Sequence, residues 1–128
     1  MMMIAGIASA LSGIQTGGRI LSIGAHNIAN AQTEGFKRTR ALPVESSAGG
    51  VTVTLDKDVR PGPQIFSNED PSTLREGSNV DLAEEIISNL HAVNLIKANI
   101  ASVRIQEVCQ LHPLPTFSSS LLCIFSRA

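Results

Sequence analysis

Apolar and small residues recur at a helical rhythm at both ends of the chain. From Ile4 to about Gln32 they fall at Ile4, Ile7, Leu11, Ile14, Gly18, Leu21, Ala25 and Ile28, in alternating steps of three and four. That spacing is the heptad repeat of a helix lying along another helix. The pair Gly17-Gly18 weakens it, since a glycine costs up to ~1 kcal/mol relative to Ala inside a helix. Such a helix needs packing to form. Gly35 suits the position just past its end, because glycine takes a left-handed conformation without strain. A second periodic stretch runs from Asn79 to about Val108, with a seam of Leu82, Ile86, Asn89, Val93, Ile96, Ile100 and Val103, flanked by Ile87 and Leu90. Ser78 with Asp81, or Asp81 with Glu84, fits a capping box at its start. Asp81, Glu84 and Glu85 early and Lys97 and Arg104 late complement the helix dipole.

Between these stretches the pattern changes. Lys37-Arg38-Thr39-Arg40 is basic and Ser46 to Gly50 reads as a flexible turn. Val51-Thr52-Val53-Thr54-Leu55 alternates as a short strand does. Arg60-Pro61-Gly62-Pro63 is a second turn, after which Gln64-Ile65-Phe66 could be the return strand; Asp70 to Gly77 reads as loop. A two-stranded ribbon is marginal alone and should pack on a helix or a neighbour. Beyond Cys109, Pro113 and Pro115 end the helical pattern and Ser118-Ser119-Ser120 is low complexity, which predicts a disordered tail. The chain therefore divides into an N-terminal helix (1–32), a loop and ribbon (33–78), a C-terminal helix (79–108) and a tail (109–128). The expected fold is mainly α: two long terminal helices, each ~45 Å at 1.5 Å per residue, packed as a hairpin or coiled coil around a short β-ribbon insert. Ile20, Ile23, Ile87 and Leu90 lie off the seams and are expected to stay in water, leaving a marginal monomer.

Composition agrees with helices more than with a globule. The 128 residues are 43% hydrophobic yet hold four Phe, no Tyr and no Trp, so bulk comes from aliphatic side chains. A net charge of −1 argues against whole-molecule attraction to nucleic acid or an anionic membrane. The short basic run has one adjacent aromatic, Phe36, and reads as a solvated face or subunit contact. No apolar run reaches the ~20 residues of a membrane span, and with Arg19 as the first basic residue there is no charged leader for a cleaved signal peptide.

No catalytic constellation emerges. His26, His91 and His112 are far apart without metal-ligand spacing, and Cys109 with Cys123 form no disulfide framework. Glu84 and Glu85 are adjacent, so on a helix they point about 100° apart and do not face each other. Gly17-Gly18-Arg19 lies in a helical pattern with no preceding strand, and no serine sits in a nucleophile motif. The expectation is no enzyme, no cofactor, no metal and no small-molecule substrate.

Two stretches carry a family resemblance. Ala25-His26-Asn27-Ile28-Ala29-Asn30-Ala31-Gln32-Thr33-Glu34-Gly35-Phe36-Lys37-Arg38 resembles the N-terminal signature of bacterial flagellar rod and hook axial proteins, a helix end reading A-N-N-I-A-N-x-N-T-x-G-F-K-R. Glu76-Gly77-Ser78-Asn79-Val80-Asp81-Leu82-Ala83-Glu84-Glu85-Ile86 resembles their C-terminal signature, S-N-V-D-x-x-x-E before a long helix. His26, Gln32 and Glu34 depart from the first, and Asn94 to Asn99 lacks the family's usual aromatic. The short stretch between the motifs is similar to the short proximal-rod subunits. The resemblance implies an assembly motif of Asn27, Asn30, Thr33, Gly35, Phe36, Asn79, Val80, Asp81 and Glu84. It implies a rod subunit in the periplasm, exported by the flagellar type III route, whose partners are copies of itself and other rod and basal-body proteins. Asn27 and Asn30 lie on nearly one helix face. They are either ordinary helix-end polar residues or, as the resemblance favours, a pair that fixes register within an apolar seam. The alternative function is a small helical-hairpin adaptor or regulator that self-associates through its heptads.

Overall fold

The computed structural model describes residues 2–47, 49–66 and 73–111. In order along the chain come α1 (Met2–Ala29), β1 (Thr39–Glu45), β2 (Val51–Lys57), β3 (Gln64–Phe66), β4 (Leu74–Glu76) and α2 (Leu82–Leu111). Two long helices thus enclose short antiparallel strands, as the periodicity predicts. Helix α1 stops before Gln32, and α2 continues past Val108 into what was expected to be tail. Residues 112–128 lie outside the described residues.

The start of α2 follows from one side chain. Asp81 Oδ1 accepts the backbone N–H of Ala83 (2.9 Å) and Glu84 (3.2 Å), satisfying donors that have no partner inside the helix. Glu84 does not close the capping box, because its carboxylate is taken by Arg38. Gly35 has φ of +64°, the left-handed conformation expected, but it lies several residues beyond α1 and gives its N–H to the carbonyl of Glu76 at 2.8 Å.

The strands pair differently from the expectation. Val51–Lys57 does not return on Gln64–Phe66; it pairs antiparallel with Thr39–Glu45, Ala41 opposite Leu55. The turn is Ser46 to Gly50, where Gly49 and Gly50 hold positive φ and Ser46 N–H reaches Gly50 O at 3.0 Å. β1 escaped notice because it begins in the basic run and contains Pro43, which donates nothing to a ladder. β3 pairs instead with β4, Gln64 opposite Glu76, in the stretch read as loop.

The helices pack antiparallel, but not on the predicted seam. Facing pairs are Gly6 with Gln106, Gly13 with Asn99, Gly17 with Ile96 and Gly24 with Asn89. Ala10, Gly13, Gly17, Gly24 and Asn27 are buried on α1, and Glu85 and Ala92 on α2. The α1 seam is the set Gly6, Ala10, Gly13, Gly17, Ile20, Gly24, Asn27, one residue out of phase with Ile7, Leu11, Ile14, Leu21 and Ile28. One residue is about 100° of helix rotation, so the predicted apolar stripe points away from α2. On α2, Asn89, Ile96 and Val103 do lie at the seam, whereas Leu82, Ile86 and Ile100 are exposed. Glycines remove the side-chain spacer between helix axes, so a close small-residue contact wins over a wider apolar one.

The strands take a second flank of α1. Thr16 Oγ1 donates to Val51 O (3.2 Å) and Val51 N–H donates to Ser12 Oγ (3.0 Å). Ile20 and Ile23, expected in water, are half-buried, lining a cleft with Thr39, Ala41 and Leu42. Because the helices run antiparallel, the residues that follow each seam position fall on one common side, opposite the strands. Ile7, Ile14, Leu21 and Ile28 of α1 therefore share a face with Ile86, Val93 and Ile100 of α2. Leu11, 51% exposed, and Leu90, 60% exposed, widen it.

Candidate functional site

Residues of the two signature stretches meet where α1 ends and α2 begins. Asn27, on the last turn of α1, is fully buried. Its Nδ2 donates to Thr39 O (2.8 Å) and Glu85 Oε1 (3.0 Å), and its Oδ1 accepts Thr39 N–H (3.0 Å). One amide thereby ties α1, β1 and α2 together. Its position on the seam makes its burial tolerable only because each polar atom is paired.

Asn79 does the same work from the other stretch. Its Oδ1 accepts Arg38 N–H at 2.7 Å, its Nδ2 donates to the carbonyls of Asp58 (3.0 Å) and Arg60 (2.9 Å), and its own N–H reaches Phe36 O at 3.2 Å. Val80 is half-buried beside it, with its N–H on Ser78 Oγ at 3.3 Å.

Arg38 fills the space between, at 2% exposure. Its guanidinium forks onto Glu84, Nη1 to Oε2 at 2.7 Å and Nη2 to Oε1 at 2.8 Å, the bidentate geometry in which an arginine pair is strongest. Glu85 Oε1 stands 3.9 Å away and Asp58 Oδ2 3.6 Å away. Arg40 approaches Asp58 and Glu84 from the rim, and Arg60 holds Asp58 at 2.5 Å. The hydrogen bond from Arg38 holds the Glu84 carboxyl below its usual range and raises the Arg38 guanidinium in turn. Bonds from Arg60 hold Asp58 far down. Glu85 moves the other way: burial raises it, against the hydrogen bond from Asn27.

The rest of the first stretch builds the turn that delivers Arg38. Asn30 Nδ2 donates to His26 O (2.9 Å), Thr33 Oγ1 reaches Asn30 Oδ1 (3.3 Å), and Phe36 meets His26 edge to face with centroids 5.5 Å apart. Asn27 and Asn30 are therefore not a pair in one seam. Asn27 enters the seam, and Asn30 folds back on the helix end, because α1 stops at Ala29 and its neighbouring residues turn out of register. Below the turn Lys37 Nζ bonds Arg60 O at 3.0 Å and pairs with Glu76, whose carboxyl it holds below its ordinary value.

Arg38, Asp58 and Glu85 complete the cluster and were not singled out from sequence. Arg38 was read as part of a solvated basic run, and Glu85 as a helix-dipole residue. The signal available was complementarity, with a basic residue ending one stretch and a Glu-Glu pair inside the other. The arrangement is a polar clasp: every strong charge in it faces an opposite one, and no carboxylate is poised beside a free base or nucleophile. Among the described residues no group of His, Cys, Asp and Glu could hold a metal ion, and no helix is long and apolar enough to cross a membrane. Scanned against protein-family models the chain matches none, and no curated protein matches it.

Proposed function

We propose that the chain is a structural subunit of the bacterial flagellar basal-body rod, assembling through its terminal helices to transmit torque. The observation that carries this reading is the row of exposed apolar side chains Leu11, Ile28, Ile86, Leu90 and Ile100, with Ile14 and Leu21 half-buried between them, along one side of both helices among the described residues. Apolar burial is worth roughly 25 cal/mol per Å², so these side chains hold several kcal/mol in reserve for a neighbour. In this reading the four-and-three stepping of both inner seams makes the pair a coiled-coil hairpin, and the outer face takes helices of adjacent rod subunits.

The assembly motif of Asn27, Asn30, Thr33, Gly35, Phe36, Asn79, Val80, Asp81 and Glu84 then has a mechanical role. It fixes the helix ends and strands to each other so that the outer face is presented rigidly. Torque passes through packed side chains, with no cofactor, small-molecule substrate or chemical step. The subunit would reach the periplasmic rod by type III export, and its partners would be itself and other rod and basal-body proteins. A self-associating hairpin adaptor would use the same apolar face, but it has no need of both signature stretches. A gene lying among export and basal-body genes separates the two readings.

Deleting the gene should abolish motility and leave basal bodies without a complete rod. Complementation with Ile86→Glu/Leu90→Glu should fail although the protein is made and helical. Normal basal bodies in the deletion strain would refute the proposal.

A further inference from the structure

The inner seam is not what stability alone would select. At the facing positions α2 offers amides, Asn89, Asn99 and Gln106, against Gly24, Gly13 and Gly6 of α1. A Cβ on Gly13 would fall 2.5 Å from Asn99 Nδ2, and one on Gly6 2.6 Å from Gln106 Nε2; one on Gly24 would run into Asn89 Oδ1. Each amide therefore occupies the space that a side chain on α1 would need. Asn99 Nδ2 satisfies itself on Leu95 O at 2.8 Å, but Asn89 Oδ1 and Gln106 Oε1 are buried without a hydrogen-bond partner. A buried, unpaired amide oxygen destabilises, and an aliphatic residue of similar size would not.

We infer that Asn89, Asn99 and Gln106, seated in the notches at Gly24, Gly13 and Gly6, are the residues by which α1 selects α2 of its own chain, in one direction and one register. The spacing carries the direction. Along α1 the notches are separated by seven and then eleven residues; along α2 the amides are separated by ten and then seven. The two series agree, to within one residue, only when the helices run antiparallel. It also carries the register. Slipping α2 one heptad one way seats Gln106 at Gly13 but sets Asn99 against Ile20; slipping it the other way seats Asn99 at Gly6 and Asn89 at Gly17 but sets Glu85 against Ile20 and strips it from Asn27. Both place a polar group on an aliphatic side chain, where it has no room and no partner.

Such a device is required by the outer face. With aliphatic stripes on both helices, a seam of plain leucines would have two interchangeable apolar faces on each helix. A polar residue within a heptad seam fixes pairing at a cost in stability. The inference concerns pairing within one chain and stands whether or not the chain is a rod subunit.

The test uses the full chain with Cys109 and Cys123 replaced by serine and spin labels on Ala8→Cys and Asn94→Cys, both exposed positions and well apart along the hairpin axis. The unaltered seam should give one narrow interlabel distance by double electron–electron resonance. Asn89→Leu/Asn99→Leu/Gln106→Leu should unfold at the same or higher temperature yet show a second distance population, shorter or longer according to the direction of a one-heptad slip of about 10 Å along the axis, or arising between copies. With the labels offset along the axis, a slip either way changes the distance, so a single unchanged distance in that variant would overturn the inference. A second arm holds if the triple variant does not fold. Gly13→Ala alone should broaden the distance, and Asn99→Ala added to it should restore a single one. An unperturbed Gly13→Ala, or no restoration, would equally sink the idea.

Discussion

At one end of the hairpin Asn27, Arg38, Asn79, Glu84 and Glu85 share a network of hydrogen bonds and ion pairs that leaves the buried Nε of Arg38 without a hydrogen bond; at the other, Gly6 lies against Gln106, whose Oε1 is likewise unpaired. The clasped end also carries the strands, which tie to α1 through Ser12 and Thr16. Among the described residues, the other end, beyond Ser9 on α1 and Asn99 on α2, has only the partner helix. Both ends bring the same two antiparallel helices together, so the difference lies in how many independent elements close on each turn. Three elements meeting at Asn27 make local opening cost the loss of several bonds together. Two helices meeting over glycines part at the loss of a few van der Waals contacts. The hairpin is thereby pinned at one end and readily frayed at the other.

The largest expected effect comes from breaking the clasp at its centre. Arg38→Ala removes the buried cation that bridges Glu84, Glu85 and Asp58, leaving Arg40 and Arg60 at the rim, and should destabilise by about 3 kcal/mol, toward the lower limit for a buried pair because Glu84 is half in water. Circular dichroism should show a large loss of helix in the variant, and an unchanged denaturation midpoint would contradict the clasp. Asn27→Ala should cost about 2 kcal/mol by orphaning the Thr39 backbone groups, whereas Asn30→Ala, at a partly solvated turn, should cost under ~1 kcal/mol. Equal effects of the two would restore the idea of an asparagine pair. Amide exchange should sharpen the contrast further. Protection in residues 20–29 and 82–93 should exceed that in 6–13 and 99–108 by about tenfold or more.

Acidity separates the two glutamates of the clasp. Glu84 has its folded value lowered, so its contribution is present above the ordinary value of 4.5 and is lost as pH falls through the folded value. Asp58 and Glu76 act in the same direction. Glu85 has its folded value raised, so protonating it as pH falls toward 4.5 favours the folded state. Wild type should therefore gain slightly on mild acidification and lose stability below about pH 4.5. Glu85→Gln should lack the gain and lose stability monotonically, read as urea midpoints between pH 7 and 3. The smallest effect is expected on the outer face, where Leu90→Glu should alter monomer stability by no more than about 0.5 kcal/mol. The same substitution should abolish concentration-dependent gain of helicity.

Much of the fold was legible in the residues. The 3.6-residue rhythm marked both helices, Asp81 marked the start of α2, and Gly35 marked a left-handed turn, because each is a local property of a few adjacent side chains. Their partners were not legible. Nothing local says that Val51–Lys57 meets Thr39–Glu45 and not Gln64–Phe66, since strand pairing is a contest between segments. The clasp shows the same limit: Asn27, Asn79 and Glu84 were marked by their surroundings in sequence, but Arg38 and Glu85 acquire meaning only when the chain brings 38 and 85 together.

The sequence by itself determined that there are two helices, where each begins and ends to within a few residues, and that each bears an aliphatic stripe. Which stripe faces inward was decided by the tertiary structure alone. Periodicity gives the existence of a face, and the rule that aliphatic residues go inside gives its orientation only when one face competes for burial. In α1 two faces compete, and the glycine face wins because it lets the backbones approach, seats the amides of α2 and leaves room for the strands on the flank. The face of Ile7, Leu11, Ile14, Leu21 and Ile28 is left beside the contact, with Leu11 and Ile28 exposed and the others half-buried among the described residues.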